Sequence, residues 1–229
     1  MAQVRSLSTR ARTVEDKEQR KRLILDAGKQ LFFTRGYRET TIEKITERAG
    51  VSTGTFYLYF KSKQEIYMTL YADGIDLFRG MAEEAVSWPG MSALARLSAI
   101  AHAYYRFYKN HTEYFEILAF IHMHQAELKV RNDMSSLLDE KAIELLKIIE
   151  TVIREGTDSG ELTPMDPWKA TNVLWGLMDG LVTLAARENV MVMGVTLEDL
   201  IKQSLEMVFY GMDARGRVRG DDLDEEVMQ

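Results

Sequence analysis

The sequence predicts an all-α protein of about nine helices, because apolar residues recur at spacings of three and four along most of the chain. Only three prolines interrupt 229 residues. Runs of alternating β-branched residues, which would indicate strands, are few. Apolar residues make up 46% of the chain and aromatic residues 10%, which is enough to build a core.

Composition argues against several classes of protein. The longest apolar runs fall short of the roughly 18 residues that a membrane-spanning helix needs, and no apolar stretch follows the basic residues at the N-terminus, as a secretory signal would require. The absence of cysteine excludes disulfides and thiolate metal sites and suits a reducing compartment. We expect a cytoplasmic protein without a cofactor, a bound metal or a membrane partner.

Charge is distributed unevenly along the chain. Residues 1–65 carry 14 Lys+Arg against 8 Asp+Glu, a net charge of +6, whereas the rest carries 15 against 27, a net charge of −12. A basic end on an acidic protein is typical of a chain that meets nucleic acid phosphates at one end only. The overall net charge of −6 therefore does not exclude DNA binding.

The first elements are an N-terminal arm and a long helix. Residues 1–12 are polar and basic without periodicity, so we expect a flexible arm. The apolar stripe that includes Ile24, Leu31 and Phe32 predicts a helix from about residue 13 to Arg35. Gly36 is expected to end it.

Two short helices joined by a tight turn follow. Thr40 and Glu43 have the spacing of a capping box, in which each side chain bonds the other residue's backbone N–H. Gly50 supplies the turn after this helix, and Ser52 is a favourable N-cap for the next one. A second capping box, Ser62 to Glu65, predicts the start of a longer helix.

The second short helix presents two different faces. Phe56 and Phe60 lie four apart and are expected to face inward, whereas Thr53 and Tyr57, also four apart, face outward beside Gly54. Helix, glycine turn and short helix together form the helix-turn-helix pattern. Small polar side chains at the start of a helix allow its backbone to approach base edges in the major groove.

These residues closely resemble the DNA-binding domain of the TetR family of bacterial transcriptional regulators. The shared pattern runs through Ile24-Leu25-x-Ala27, Leu31-Phe32, Gly36-Tyr37, Thr40-Thr41-Ile42, Ala49-Gly50-Val51-Ser52 and Gly54-Thr55-x-Tyr57-x-Tyr59-Phe60 to Lys63. The resemblance implies a ligand-responsive regulator that binds a palindromic operator as a homodimer and, as a repressor, is released by a small effector. The DNA-binding residues that it implies are Thr40, Thr41, Ser52, Thr53, Gly54, Thr55, Tyr57, Tyr59, Lys61 and Lys63.

The remaining helices form the second part of the chain. We expect a helix-turn-helix domain over residues 13–65 and a helical bundle for ligand binding and dimerisation over residues 66–212. Apolar stripes and caps predict helices over 63–87, 92–109, 112–125, 131–156, 167–188 and 196–212. Residues 213–229 lose periodicity and carry an acidic cluster, so we expect a disordered tail.

Two further sets of residues follow from the resemblance. Aromatic and methionine side chains suit a pocket for an apolar or amphipathic effector, although they also suit an ordinary core; the candidates are Tyr104, Tyr108, Phe115, Phe120, Met123, His124, Trp175 and Met178. The last helix has two apolar faces, one of which is free to meet a second copy. The predicted dimer residues are Leu174, Leu177, Leu181, Leu205, Val208 and Met212.

Two other classes of protein remain open. An architectural DNA-binding protein would use the same basic end without an effector, and sequence-specific footprinting would distinguish it. A helical-bundle enzyme is less favoured, because the chain has no cysteine, no His-Glu-x-x-His and no Gly-x-Ser-x-Gly motif. His122 and His124 are two apart on a predicted helix and therefore point apart, which argues against a metal pair.

Overall fold

A computed structural model describes residues 2–123, 132–185 and 194–213. The side chains are described for residues 15–117, 136–185 and 194–213. Over these ranges the chain forms nine α-helices and no strand, apart from one isolated bridge between Leu162 and Asp213. The all-α prediction is confirmed. The helices are α1 (Ala2–Glu39), α2 (Ile42–Ala49), α3 (Thr53–Tyr57), α4 (Lys63–Val86), α5 (Ala93–Asn110), α6 (Thr112–Met123), α7 (Asn132–Asp158), α8 (Pro167–Ala185) and α9 (Leu197–Met212).

The first helix is longer than predicted. The structure begins α1 at Ala2, so the residues expected to form a flexible arm lie on its first turns. Gly36 interrupts α1 with φ 73° and ψ 176°, a left-handed φ that glycine adopts without strain. Gly36 therefore breaks the helix as predicted, and one further turn continues to Glu39.

The chain divides into two compact units. The first unit contains α1, α2, α3, the part of α4 that ends at Gly74, and α6 from Glu113 onward. The second unit contains α4 from Ile75, α5, α7 from Ser136, α8 and α9. The first unit thus extends nine residues beyond the boundary predicted at residue 65 and includes a helix that the sequence assigned to the second domain.

The core of the first unit is apolar and closely packed. Ile24, Ile45, Phe56 and Ile66 are fully buried, and Phe60 is 2% exposed. These side chains come from all four of its N-terminal helices, so each helix contributes its apolar stripe to one core. The predicted inward face of α3 is confirmed.

In α4 one stripe of residues is buried along the whole helix. Ile66, Leu70 and Gly74 are buried, and the stripe continues through Phe78 and Ala82. Leu77, beside this stripe, is 37% exposed.

The second unit has its own core, to which α5, α7, α8 and α9 contribute. Ala93 and Leu162 pack on Gly156, where an added Cβ would lie only 2.6 and 2.8 Å from their side chains. Thr196 caps α9, because its hydroxyl accepts the Asp199 N–H and the Asp199 carboxylate accepts the Thr196 N–H. Among the helices described, none is long and apolar enough to cross a membrane. The predicted tail beyond residue 213 lies outside the described residues.

Candidate nucleic-acid interface and effector cleft

The start of α2 is capped one residue later than predicted. Thr41 is the N-cap, and its hydroxyl accepts a hydrogen bond from the Lys44 N–H at 3.4 Å. Thr40 is fully buried, and its hydroxyl donates to the Gly36 carbonyl at 2.8 Å. The prediction that the Thr40 side chain caps α2 is therefore wrong, and this hydroxyl is used inside the protein.

The turn and α3 form as the sequence predicted. Gly50 ends α2 in the left-handed conformation, with φ 65° and ψ 32°. Ser52 caps α3, because its hydroxyl accepts the Thr55 N–H at 3.1 Å. Since Phe56 and Phe60 fix the opposite face in the core, α3 is held rigidly with one face in solvent.

That solvent face consists of Thr53, Gly54, Tyr57 and Leu58, which are all exposed. The Tyr57 ring stands edge-on to Phe56, with ring centroids 5.3 Å apart, yet 56% of the residue is exposed. An added Cβ at Gly54 would meet only the Ser52 hydroxyl, at 3.7 Å, so internal packing does not require glycine there. The face offers hydroxyl groups and a bare backbone, which is the chemistry that base edges and phosphates bind.

Three other predicted residues lie around this face. Ser52 is exposed, but its hydroxyl is also within 2.9 Å of the Thr55 hydroxyl. Thr55 and Tyr59 are half-buried. Their side chains are therefore less accessible to a ligand than those of Thr53 and Tyr57.

The two predicted phosphate-binding lysines differ in their surroundings. The Lys63 ammonium donates to the carbonyls of Tyr37 at 2.9 Å and Thr40 at 2.8 Å, and lies 4.3 Å from the centroid of the Tyr37 ring. These contacts join the start of α4 to the end of α1, which is a structural role that the sequence pattern did not reveal. Lys61 is exposed, and its backbone N–H donates to the Glu65 carboxylate at 2.6 Å.

Sequence reasoning also missed Leu58. This side chain is 80% exposed, the highest exposure among the large apolar residues described, and it adjoins the α3 face. A signal was available, because residue 58 lies between the inward positions 56 and 60 and so falls on the opposite side.

An apolar cleft lies within the second unit. Its lining comes from five helices and consists of Phe78, Leu97, Ile100, Ala101, Tyr104, Ile149, Leu174, Trp175, Met178, Leu205 and Phe209. The empty space, including the part open to solvent, is about 410 Å³, whereas the cavity proper is about 30 Å³. A cavity of that size holds one or two water molecules, so a larger ligand requires side chains to move.

The cleft contains part of the predicted pocket. Tyr104, Trp175 and Met178 line it. Tyr108 is half-buried elsewhere on α5, and Phe115 belongs to the first unit. The side chains of Phe120 and Met123, and all of His124, lie outside the described residues. Among the residues that the structure describes, no group of three His, Cys, Asp or Glu side chains could hold a metal ion.

The predicted dimer residues fall into two groups. Leu174, Leu205 and Met212 are only 6–7% exposed within the single chain, so they contribute to the core of their own unit. Leu177, Leu181 and Val208 are half-buried. The most exposed apolar side chains of α8 and α9 are Val173 at 64%, Met207 at 69% and Tyr210 at 64%, and Trp168 of α8 is 41% exposed.

The chain combines a helix-turn-helix, whose second helix faces solvent, with a helical unit that contains an apolar cleft. This combination defines the class of ligand-responsive DNA-binding regulators. Residues 24–68 match the model described as "Bacterial regulatory proteins, tetR family", and residues 97–208 match the "Tetracyclin repressor-like, C-terminal domain". The chain belongs to the TetR family of bacterial transcriptional regulators.

The relatives are transcriptional regulators rather than enzymes. A fatty acid metabolism regulator protein of Bacillus subtilis is 27% identical over 161 residues, which cover 70% of this chain and 80% of that protein. The regulator RutR of Escherichia coli O157:H7 is 28% identical over 213 residues, 90% of this chain and 92% of RutR. The crystal structure of the Bacillus subtilis regulator FadR in complex with stearoyl-CoA has a TM-score of 0.62 at 26% identity, covering 86% of this chain and 98% of that one.

Proposed function

We propose that this regulator is a repressor that binds a palindromic operator as a homodimer and is released by a long-chain acyl-CoA. The observation that carries the proposal is the exposed face of α3, where Thr53, Gly54 and Tyr57 face solvent on a helix that Phe56 and Phe60 fix in the core. A rigid helix with a small polar end fits the major groove. Exposed Lys61 is the phosphate contact next to it.

Dimerisation is supported by the exposed face of α8. Val173 and half-buried Leu177 lie four apart, and Gly176 and Gly180 fall on the same side of the helix. An added Cβ at either glycine would meet no atom within 4 Å. Glycine inside a helix costs about 0.5–1 kcal/mol relative to alanine, and nothing inside the protomer requires it, whereas a closely packed partner helix would.

Exposed apolar side chains on α9 also support dimerisation. Met207 and Tyr210 are mostly exposed, and exposed apolar patches are typical of interfaces. A dimer places two copies of α3 on a palindrome with half-sites about 34–36 Å apart, or a multiple of that spacing. We expect Met207→Glu to convert the dimer to a monomer in analytical ultracentrifugation, while Lys202→Glu, on an exposed position of the same helix, leaves it intact.

The effector class follows from the cleft. Its lining within the described chain is apolar apart from the Tyr104 hydroxyl and the Trp175 ring N–H, which suits an acyl chain better than a charged group. The Bacillus subtilis FadR structure contains stearoyl-CoA, and its likeness to this chain supports the same ligand class. The polar coenzyme A moiety would remain at the open side of the cleft.

Release from DNA is explained by Phe78. This α4 side chain stacks on Phe107 at 5.5 Å and meets the rings of Tyr104 at 5.1 Å and Trp175 at 6.3 Å. Because the cavity is small, an acyl chain has to displace these rings, and Phe78 passes the displacement to α4. A ligand shifts the protein only by binding the displaced state more tightly, and such coupling is typically about 1–3 kcal/mol.

The test begins with a DNA duplex selected by the wild-type protein from a random-sequence pool. We expect fluorescence anisotropy to show tight binding of this duplex, and release by stearoyl-CoA but not by free coenzyme A. Ala101→Leu occupies the cleft and should abolish release by stearoyl-CoA. If the selection yields no sequence preference, the protein is an architectural DNA-binding protein. If the duplex binds but stearoyl-CoA has no effect, the effector proposal fails alone.

A further inference from the structure

We propose that Tyr114 is a positioning residue for DNA recognition, acting through a contact with Gly74 that fastens α6 to α1 and α4 of the first unit. This inference rests on the proposed DNA-binding function of that unit. We call the contact the Gly74–Tyr114 joint. It makes α6 a necessary part of the DNA-binding unit.

The α4 side of the joint is a socket made by the missing side chain of Gly74. An added Cβ there would lie 2.7 Å from Cδ1 and 3.1 Å from Cγ of Tyr114, distances at which the ring has to shift. The atoms in question belong to an aromatic ring that is 8% exposed, so there is little room for it to move. A glycine in the middle of a long helix is unfavourable by itself, and the Tyr114 ring explains its presence.

The α1 side of the joint consists of Lys29 and Phe33. The Lys29 ammonium donates to the Tyr114 hydroxyl at 3.0 Å, and this hydrogen bond raises the pKa of Lys29. The Phe33 ring meets the Tyr114 ring edge-on, with centroids 5.5 Å apart and planes at 77°. One side chain of α6 therefore contacts both α1 and α4, whose buried side chains share a core with those of α2 and α3.

The joint also lies where the chain passes between the units. Gly74 is the last residue of α4 in the first unit, and Glu113, next to Tyr114, is the first residue of α6 in it. Only His111 separates α5 from α6, and α5 supplies Leu97, Ile100, Ala101 and Tyr104 to the cleft lining. Both residues of the joint thus lie at or next to the points where the chain leaves the first unit.

Single and paired substitutions test the joint in the full-length protein. Gly74→Ala introduces the clash, Tyr114→Ala removes the ring that the methyl group would meet, and Gly74→Ala/Tyr114→Ala combines the two changes. Gly80→Ala is the matched control, because Gly80 lies on the same helix and an added Cβ there meets nothing within 4 Å. The measurements are affinity for the duplex selected by the wild-type protein, circular dichroism to verify folding, and amide hydrogen exchange.

We expect Gly74→Ala to remain folded and to weaken duplex binding by up to about tenfold, the effect of a typical overpacking penalty that falls on the DNA-bound form alone. Tyr114→Ala should also weaken binding, and the double variant should lose less than the sum of the two single losses, because both changes break the same joint. Gly80→Ala should bind as the wild type does. A side chain with a merely structural role would lower the melting temperature without changing the affinity of the folded protein. Equal binding by Gly74→Ala and Gly80→Ala, or additive losses in the double variant, overturns the proposal.

Hydrogen exchange keeps the proposal testable if Gly74→Ala does not fold. Adding the selected duplex to the wild-type protein should slow exchange in α6 around Ile117 as well as in α2 and α3, and unchanged exchange in α6 overturns the proposal. If the wild-type protein selects no duplex, the proposed function fails instead. The joint is then judged by whether Tyr114→Phe, which removes the acceptor for Lys29, speeds exchange in α1 and α6 together, as the joint requires.

Discussion

Replacing Lys63 with methionine separates two roles for a lysine beside a DNA-binding helix. If Lys63 binds a phosphate, Lys63→Met weakens DNA binding and leaves the fold intact. If it serves as the structure indicates, the same change mainly destabilises the first unit. Methionine keeps the length and apolar stem of lysine and removes only the ammonium group.

The magnitude follows from the contacts. Hydrogen bonds to a charged group contribute about 1.5–3 kcal/mol each, and a cation–π contact contributes about 0.5–1 kcal/mol where it is exposed. Lys63 is half-buried, so water replaces part of what the variant loses. We therefore expect Lys63→Met to lower the free energy of unfolding by about 2 kcal/mol, less than the two bonds to Tyr37 and Thr40 would give if fully buried.

The assay pairs urea denaturation with the salt dependence of duplex binding, and Lys61→Met is the matched control. Each phosphate contact contributes about 0.9 to the slope of log affinity against log salt concentration. Lys61→Met should reduce this slope by about that amount and keep the wild-type stability, whereas Lys63→Met should do the reverse. The structural role of Lys63 is refuted if Lys63→Met keeps the wild-type free energy of unfolding and reduces the slope.

The remaining predictions concern α3 and the cap of α9. Tyr57→Ala should weaken binding of the selected duplex about tenfold, the loss expected for one good hydrogen bond, without changing the melting temperature, since more than half of Tyr57 is exposed; a fall in melting temperature with unchanged binding would assign it to packing. Leu58 should contact a thymine methyl group, the apolar feature of the major groove. Replacing one thymine of each half-site with deoxyuridine, which lacks this methyl group, should therefore weaken binding by the wild-type protein but not by Leu58→Ala. Hydrogen bonds from Thr196 lower the pKa of Asp199, so its stabilising effect is present above the usual carboxyl pKa and is lost as the pH falls through the lowered value. Asp199→Asn should accordingly lower the melting temperature at neutral pH but not at a pH below the lowered pKa of Asp199, and an equal loss at both would contradict the capping role.

Local sequence signals predicted the structural features that depend only on residues close together in the sequence. The bounds of α2, α5 and α9 and the inward face of α3 follow from caps and from a period of 3.6 residues, and the structure agrees within a few residues. Thr40 and Thr41 show the limit of this reasoning. Both are good N-caps in sequence, and the choice depends on the Gly36 carbonyl, which binds the Thr40 hydroxyl from the preceding turn.

Contacts between distant parts of the chain were not predictable. The Lys63 ammonium reaches carbonyls 23 and 26 residues earlier, and no pattern distinguishes this lysine from one that binds phosphate. Tyr114 meets Gly74 across 40 residues. Only the structure identifies the ring that lies against Gly74.

The choice of dimer residues meets a related limit. Periodicity shows that α9 has two apolar faces, but it does not tell which one the protomer uses for its own core. Leu205 and Met212 turned out to be on the inner face, and Met207 on the outer one. An inner face and a partner-facing one have the same composition, so burial in the folded chain is needed to separate them.

The helical glycines indicate independently which helix faces pack inside the protomer and which do not. At Gly28 and Gly74 an added Cβ would meet Ile66 at 2.8 Å and Tyr114 at 2.7 Å, so packing within the first unit accounts for both. At Gly176 and Gly180 no atom lies within 4 Å, so the protomer does not account for them. Empty space alone is not sufficient, because Gly80 is equally open but lies among Arg79, Glu83 and Glu84. Gly176 and Gly180 share their side of α8 with apolar side chains instead, and the occupant that suits such a surface is the same surface of a second copy.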